Sequence, residues 1–278
     1  MGSTLSPFEY RVIEHDGCVA EIINPYVACS YECRYCYCHK VRQEVRQRLG
    51  IRDPREAITR WRNSSELRCA NTGCQYTFIG TAVDPYSSWE SELAVTRQIL
   101  VECGRLRRRV VMATKSGLVL RDVDVLQECA ESEVFISLAS LSLHWHNTFE
   151  ARSPSPRDRL RTIEVLTRKG IEVAVFVAPV LPAENDDMEA LQDLLQAATS
   201  AGARLCVIGL GLPSMIVGDK ETEACWPSQF SQKLDAVSSY CAPHENIAKY
   251  ALRRLGPFAQ ASLMFPDQQR GLAILKTH

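Results

Sequence analysis

Short apolar runs alternate with longer amphipathic segments along most of this chain. The short runs are rich in β-branched residues, which favours strands, and the longer segments have the periodicity of helices. Six runs are predicted to be strands: Val19–Ile23, Tyr76–Gly80, Val110–Thr114, Val134–Ser137, Glu172–Ala178 and Leu205–Gly209. Strands that alternate with crossover helices indicate a mainly parallel sheet.

Start and stop signals bound the helices between these strands. The predicted helices are Ser88–Cys103, Arg121–Cys129, Pro156–Lys169 and Asp186–Ala201. Two of them stop at a glycine, Gly170 and Gly202, and one has a proline in its first turn. Six strand–helix units are too few for a complete eight-fold barrel, so we predict an α/β fold with a partial, TIM-like (β/α)6 barrel.

The tail of the chain is predicted to be a short helical extension. Two further helical patterns, Gln229–Tyr240 and Ile247–Leu255, follow the last predicted strand. We therefore predict a core domain over residues 17–215 and a C-terminal helical extension over residues 216–278 that closes the barrel.

Composition and charge disfavour nucleic-acid binding, a membrane span and a disulfide scaffold. The chain of 278 residues has a formal net charge of −1, so no general basic field attracts nucleic acid, which is disfavoured as a partner. No run reaches the roughly 20 apolar residues of a membrane span, and no secretory signal is visible. Twelve cysteines are too few for a disulfide scaffold at this length. We expect them to be reduced thiols and metal ligands in a cytoplasmic protein.

Three closely spaced cysteines directly follow the first predicted strand. Cys29, Cys33 and Cys36 form the pattern C-x3-C-x2-C. Thiolates are soft ligands that select iron–sulfur clusters or zinc. Three cysteines on one loop can bind three corners of a [4Fe–4S] cluster and leave the fourth iron open to an external ligand, whereas structural zinc usually has four ligands in two spaced pairs.

A zinc site is the alternative that these residues leave open. Cys38 and His39 follow the loop directly, and Cys69 and Cys74 could also contribute ligands. Cys69 and Cys74 flank turn-forming residues, so they are also candidates for an auxiliary metal site or a redox pair. A zinc- or iron–sulfur-binding interaction protein without catalytic activity is therefore the main hypothesis from another class.

The residues that follow the predicted strands are mostly small or polar. In parallel α/β folds, ligands bind at the carboxyl ends of the strands. The segments at these ends are Asn24–Tyr26, Thr81–Tyr86, Thr114–Lys115, Ser137–Ser140 and Ala178–Pro179. Their composition is that expected for the rim of a cofactor site.

The pattern C-x3-C-x-aromatic-C resembles that of the radical S-adenosylmethionine (SAM) superfamily, whose members share a partial (β/α)6 barrel. The longer string over Asn24–Tyr37 resembles more specifically the spore photoproduct lyase-like branch, and other blocks agree in order. These blocks are Gly80–Tyr86 with Glu90, Thr114–Asp122, Ser137–Ser140, Glu150–Arg152, Pro154–Arg159 and Val177–Pro179. The resemblance covers roughly residues 24–211.

The resemblance implies roles for individual residues. Cys29, Cys33 and Cys36 would ligate the cluster, and its open iron would bind the amino and carboxylate groups of SAM. The other implied SAM contacts are Tyr35, Gly80, Thr81, Ala82, Lys115, Ser137, Arg152 and Ala178. Lys115 would approach the SAM carboxylate, a pairing of cation with anion. An electron donor such as flavodoxin or ferredoxin would supply the electron for reductive cleavage of SAM, after which a hydrogen atom is taken from a substrate carbon.

The resemblance does not define the substrate. Spore photoproduct lyase has a cysteine hydrogen donor just before its Asp-Pro stretch, where this chain has Thr81, so repair of nucleic-acid lesions is disfavoured. We expect modification of a ribosomally made peptide, with a separate recognition protein as a candidate partner. Radical modification of a small molecule, or transfer of an aminocarboxypropyl group to one, is the alternative. His144, His146 and Tyr240 are the candidates for acid–base or radical-relay steps.

Overall fold

An eight-stranded sheet forms the centre of the computed structural model, which describes residues 11–15, 18–26, 28–36, 76–181, 183–210 and 272–276. Each strand pairs with its neighbour in chain order. The strands are β1 (Arg11–His15), β2 (Cys18–Ile23), β3 (Tyr76–Ile79), β4 (Arg109–Thr114), β5 (Glu131–Ser137), β6 (Glu172–Val180), β7 (Leu205–Leu210) and β8 (Leu272–Lys276).

Strands β2 to β7 are parallel and correspond to the six strands predicted from the sequence. The predicted fold class is thereby confirmed. The outer strands β1 and β8 were not predicted, and both pair antiparallel with their neighbours. The described part of the predicted helical extension is therefore a strand, β8, while the helices predicted over 229–240 and 247–255 lie outside the described residues.

Helices follow the parallel strands. They are α1 (Glu90–Leu93), α2 (Val95–Arg105), α3 (Val123–Glu128), α4 (Leu143–Phe149), α5 (Pro156–Arg168) and α6 (Met188–Ser200), with a 3₁₀ helix over Gly117–Asp122 before α3. Helix α4 was not predicted. None of the helices in the described part of the chain is long and apolar enough to cross a membrane.

The helix predicted over Ser88–Cys103 is interrupted at Ala94, where the backbone is left-handed with a φ of 50°. The carboxylate of Glu90 accepts hydrogen bonds from the backbone N–H groups of Thr96 (2.9 Å) and Arg97 (3.3 Å). These amides lie in the first turn of α2, where the helix itself offers no carbonyl partner and the helix dipole favours an anion. One buried carboxylate therefore supports the start of a second helix.

The boundaries of α5 and α6 follow the sequence signals closely. The Ser155 hydroxyl caps α5 by accepting a hydrogen bond from the backbone of Asp158 (3.2 Å), and Asp187 caps α6 in the same way. Both helices end just before a glycine with positive φ, Gly170 at 78° and Gly202 at 104°. Glycine allows this conformation without a steric penalty, which ends the helix.

The main hydrophobic core lies between the sheet and these helices. Strands β2 to β6 each contribute buried apolar side chains, as do α2, α5 and α6. Among them are Ile23, Ile79, Met112, Ile136, Val175, Leu100, Leu166 and Leu194. This packing fixes the parallel strands relative to one another, so that their carboxyl ends form one edge where the predicted site residues gather.

Candidate functional site

The three-cysteine loop follows β2 at the carboxyl edge of the sheet. Cys33 is buried, and Cys29 and Cys36 are partly exposed. The pKa of the Cys29 thiol is raised well above its usual range, first by burial and then by Asp84, with further contributions from Cys33 and Cys36. The three thiols share one short loop, so as anions they would repel one another. Burial also raises the pKa of the Cys33 thiol to about 11, so thiolates here need a compensating cation such as iron.

The donor set of this loop fits an iron–sulfur cluster. In the described part of the chain, no three His, Cys, Asp or Glu side chains converge closely enough to hold a single metal ion. Each thiolate of a cubane cluster binds a different iron, so the ligand sulfurs surround the cluster and do not meet at one point. The further zinc ligands considered from the sequence, Cys38, His39, Cys69 and Cys74, lie outside the described residues.

Contacts from two directions hold this loop in place. On one side, the Tyr31 hydroxyl donates a hydrogen bond to the backbone carbonyl of Tyr86 (3.0 Å), in the segment after β3. On the other side, the backbone N–H of Arg34 donates to the carbonyl of Phe149 at the end of α4 (2.9 Å). The cysteines are thus fixed between two parts of the rim.

Asn24 connects the end of β2 to the segment after β3. Its side-chain oxygen accepts hydrogen bonds from the backbone N–H groups of Ala82 (3.0 Å) and Val83 (3.3 Å), and its amide nitrogen donates to the Thr81 hydroxyl (3.4 Å). Gly80, which begins this segment, has a φ of 79°. Gly80, Thr81 and Ala82 thus lie beside the end of β2, and their role as SAM contacts stays a prediction.

Asp84 connects the same segment to the end of β4. Its carboxylate accepts hydrogen bonds from the Thr114 hydroxyl (2.7 Å) and from the backbone N–H groups of Lys115 (2.7 Å) and Tyr86 (2.9 Å). Burial raises the pKa of Asp84, while these three hydrogen bonds act in the opposite direction. The main consequence is that the backbone of Lys115 is anchored.

The Lys115 ammonium lies between β5 and the three-cysteine loop. It donates a hydrogen bond to the Ser137 hydroxyl (2.9 Å), and it lies 3.6 Å from Oε1 of Glu150 and 6.0 Å from the centre of the Tyr35 ring. Burial acts to lower the pKa of Lys115, but the negative charges of Glu150 and Cys33 outweigh it and hold the pKa above its usual value. The structure therefore brings three predicted contacts, at positions 35, 115 and 137, into one group.

Glu150 is the residue of this group that the sequence did not identify as part of the site. Its side chain is 1% exposed, and its carboxylate accepts hydrogen bonds from the Tyr35 hydroxyl and the Arg159 guanidinium. Burial acts to raise the pKa of Glu150, but Lys115 and Arg159 lower it overall. Arg159 is equally buried and also donates to the backbone carbonyl of Ser137 (2.8 Å).

Arg152 and Ala178 are less buried than Glu150. The Arg152 side chain is 67% exposed and forms an ion pair with Glu32 of the three-cysteine loop. Ala178 lies in β6 and is joined to Pro179 by a cis peptide bond. The roles predicted for both residues stay predictions.

The two histidine candidates lie on helix α4, which the sequence pattern did not predict. His144 is exposed. His146 is buried, with Nε2 3.0 Å from the carbonyl oxygen of Ser153 and Nδ1 3.3 Å from the side-chain oxygen of Asn147. These contacts give His146 a structural explanation, while Tyr240 lies outside the described residues.

Fold and site together define a class of protein. An open α/β barrel carries clustered thiols, a rim of small residues and a partly buried lysine at the carboxyl edge of its sheet, an arrangement suited to a metal cluster with an anionic ligand. The sequence model of the Radical SAM superfamily matches residues 23–195. The chain therefore belongs to the radical SAM superfamily, whose enzymes use a [4Fe–4S] cluster and SAM. The predicted superfamily and cofactors are confirmed.

A curated relative with similar sequence is an uncharacterised protein. The protein Rv2578c of Mycobacterium tuberculosis is 29% identical over 226 residues, which are 78% of this chain and 65% of that protein. The chain thus spans slightly less than two thirds of the length of this relative.

Solved structures with a similar fold include SuiB of Streptococcus suis. SuiB bound to S-adenosylmethionine is 14% identical with a TM-score of 0.58, and the match covers 80% of this chain and 48% of SuiB. SuiB bound to the precursor peptide SuiA is 12% identical with a TM-score of 0.57, and the match covers 79% of this chain and 46% of SuiB. Spore photoproduct lyase with bound AdoMet and dinucleoside spore photoproduct is 17% identical with a TM-score of 0.47. The match covers 64% of this chain and 52% of the lyase. At these identities the similarity concerns the fold alone.

Proposed function

We propose that this protein is a radical SAM enzyme that holds a [4Fe–4S] cluster on Cys29, Cys33 and Cys36 and binds SAM at the carboxyl edge of its sheet. The observation that carries this proposal is that the Lys115 ammonium lies 6.0 Å from the centre of the Tyr35 ring, so that a cation sits beside the loop that carries the three cysteines. When bound, the cluster and SAM supply a reductive cleavage whose product removes a hydrogen atom from a substrate carbon.

The residues of the rim bind and orient the cofactor in this proposal. The Lys115 ammonium binds the SAM carboxylate, because a buried cation attracts an anion strongly where water cannot screen it. The small residues Gly80, Thr81 and Ala82 let the methionyl amine approach the backbone, which Asn24 holds in place. Ser137 and Arg152 are the proposed contacts for the ribose and the carboxylate.

An aromatic wall beside the three-cysteine loop excludes water from the site. The Trp145 ring centre lies 5.9 Å from that of Tyr35 and 5.3 Å from that of Phe149, and Trp145 is buried. In this proposal Tyr35 borders the adenine from the side of the loop, and Ala178 borders it from β6. Such apolar surfaces keep solvent away from reactive species.

For the substrate, we propose a ribosomally made peptide. SuiB, which shares this fold, has been solved with a precursor peptide, and the net charge of −1 together with Thr81 in place of a cysteine hydrogen donor argues against nucleic acid. Radical SAM enzymes need an electron donor, for which we propose a flavodoxin or ferredoxin. A separate protein that recognises the peptide completes the proposed set of partners.

Anaerobic reconstitution tests the cofactor chemistry. We expect a brown protein with about four irons at this site, which releases 5′-deoxyadenosine from SAM after reduction with dithionite. Cys33→Ala should abolish both iron retention and cleavage. Cys103→Ala is the matched control, because Cys103 is buried in the core on α2. A colourless zinc protein that leaves SAM intact would contradict the proposal, and methylthioadenosine as the product would indicate transfer of an aminocarboxypropyl group.

The substrate is tested separately with the reconstituted enzyme. Short peptides encoded beside its gene are incubated with enzyme, SAM and reductant, and both 5′-deoxyadenosine and peptide mass are followed. We expect a peptide whose mass changes in step with 5′-deoxyadenosine release. Coupled turnover of a small molecule, with the peptides unchanged, would show that the peptide proposal is wrong.

A further inference from the structure

The buried carboxylate of Glu150 lies where several predicted SAM contacts meet. Its Oε1 atom accepts the hydrogen bond from the Tyr35 hydroxyl and lies 3.6 Å from the Lys115 ammonium. Its Oε2 atom accepts the hydrogen bond from Arg159, with the Ser153 hydroxyl at 3.4 Å. One side chain therefore contacts the three-cysteine loop, the end of β4 and helix α5 at the same time.

The two cations beside Glu150, Arg159 and Lys115, differ in how many of their N–H donors are already used in hydrogen bonds to the described chain. Arg159 is 1% exposed and is committed to the protein, since it also donates to the carbonyl oxygens of Ser137 (2.8 Å) and Pro154 (2.9 Å). The Lys115 ammonium has three N–H donors. Within the described chain it makes one short hydrogen bond, to Ser137 at 2.9 Å, and its 3.6 Å separation from Glu150 is longer than a direct hydrogen bond. Lys115 can therefore still donate to a bound anion.

We propose that Glu150 is a positioning residue for SAM, which holds the Lys115 ammonium and the Tyr35 ring in one arrangement so that the lysine meets the SAM carboxylate beside the three-cysteine loop. This inference rests on the proposed function and adds a residue to it. Glu150 acts through Lys115, because its own oxygens are occupied and its negative charge repels a second carboxylate.

The negative charge of Glu150 is the property that this role requires. A buried ammonium without a nearby anion is strongly disfavoured. Glutamine at this position keeps the size of the side chain and an acceptor oxygen but removes the charge, so the lysine loses the strongest of its electrostatic partners, with Cys33 and Asp84 remaining. Arg159 keeps its other hydrogen bonds, to Ser137, Pro154 and Ser153, in that variant.

The test measures SAM binding to the reconstituted holoenzyme by isothermal titration calorimetry, alongside cleavage. We expect Glu150→Gln to raise the Kd for SAM about 10- to 100-fold, as for the loss of a charged contact. Lys115→Met should have a similar effect, and the double variant should bind no more weakly than Lys115→Met alone, because Glu150 acts through that lysine. Glu164→Gln is the matched control, as its exposed carboxylate pairs with Arg168 on α5, and its Kd should be unchanged.

Thermal unfolding shows whether Glu150→Gln folds. If it does not, two further variants test the inference. Tyr35→Phe removes one hydrogen bond to Glu150 and keeps the ring, and should raise the Kd about 3- to 10-fold. Glu150→Asp keeps the charge and should bind SAM more tightly than Glu150→Gln.

Three outcomes separate the possibilities. Wild-type affinity in Glu150→Gln, or in Tyr35→Phe where Glu150→Gln does not fold, overturns this inference and leaves the proposed function standing if the wild type cleaves SAM. Losses of affinity that simply add in the double variant also overturn it, because they describe a structural role independent of Lys115. Wild-type holoenzyme that does not bind SAM overturns both proposals.

Discussion

Gly80 shows how strongly a single backbone position constrains this site. Its φ is +79°, and a Cβ atom there would lie 2.5 Å from Cδ of Pro85 and 2.9 Å from the carbonyl oxygen of Ala113. Its amide donates a hydrogen bond to the carbonyl of Ile23 at the end of β2 (3.0 Å). The close approach of these segments therefore depends on the absence of a side chain.

Gly80→Ala should consequently destabilise the protein more than the backbone conformation alone explains. Gly170→Ala is the matched control, because Gly170 has almost the same φ, +78°, with no atoms within 4 Å of the added Cβ. We expect the control to lose about 1–2 kcal/mol of unfolding free energy, and Gly80→Ala to lose about 1–3 kcal/mol more from overpacking. Denaturant unfolding measures both, and equal losses would contradict the steric argument.

The Asp124 carboxylate makes the stability of the folded protein depend on pH. Arg97 donates hydrogen bonds of 2.6 and 2.9 Å to its carboxylate and lowers its pKa from 3.8 to about 2. The ionised form therefore stabilises the folded protein above about pH 4, and this contribution is lost as the pH falls towards 2. Because the Asp124 side chain is 62% exposed, the contribution is small.

In Asp124→Asn, we expect a loss of less than about 1 kcal/mol at neutral pH. The difference from wild type should disappear as the pH falls from about 4 to about 2, and chemical denaturation across this range would detect it. A difference that does not vary with pH would mean that the charge of Asp124 is not its source.

Among the elements, helix α4 marks the limit of what the sequence pattern could predict. Strands β2 to β7 were found because each is a short, mainly apolar run that is rich in β-branched or aromatic residues. Helix α4, at Leu143–Phe149, is too short for a clear period, and its two buried aromatic side chains, Trp145 and Phe149, pack in a separate small cluster with Ala139. The signal that could have found it is Ser142, whose hydroxyl caps the helix by accepting a hydrogen bond from Trp145 (3.2 Å).

The cysteine loop and the rim were predictable, but Glu150 as a site residue was not. The three cysteines are close in sequence, and the rim residues directly follow strands. Glu150 acquires its partners only through tertiary folding, since Tyr35 and Lys115 come from distant parts of the chain. The resemblance includes Glu150 in the block Glu150–Arg152 but gives it no role, and a single glutamate resembles a surface residue until the burial of its carboxylate is seen.

Asn24 is the element-scale test of the rim, because its side chain joins the ends of β2 and β3. Asn24→Ala leaves the backbone N–H groups of Ala82 and Val83 without this acceptor, which should cost about 1–3 kcal/mol. Hydrogen exchange over 80–86 should become faster in the variant. Asn24→Asp retains the acceptor oxygen and should protect these two amides better. Unchanged exchange in Asn24→Ala would show that the segment is held by other contacts.

In the molecule as a whole, the outer strand β8 is the feature that local sequence predicts least well. It pairs with β7 from Gly209 opposite Leu272 to Leu205 opposite Lys276. A short apolar run such as 272–276 does not distinguish strand from helix, and its partner lies more than sixty residues earlier. The pairing satisfies the backbone groups of β7, which would otherwise be an unpaired edge.

Removal of β8 should therefore affect both stability and solubility. We expect a chain truncated after residue 271 to unfold at lower temperature and to self-associate, because the apolar strand β7 becomes an exposed edge. Size-exclusion chromatography with light scattering and thermal unfolding measure these effects. A chain truncated after residue 276 is the control. If the shorter chain stays monomeric and equally stable, the β7–β8 pairing does not protect this edge.

The setting of Lys115 also has a thermodynamic consequence. Its ammonium is mostly shielded from solvent and is restrained by Ser137, Glu150 and the Tyr35 ring as soon as the chain has folded. The penalty for immobilising a long, flexible side chain is thus met during folding and does not recur when a ligand arrives. Because of this preorganisation, more of the attraction between the Lys115 ammonium and an anionic ligand contributes to the binding free energy. The ligand then binds to a site that needs little rearrangement.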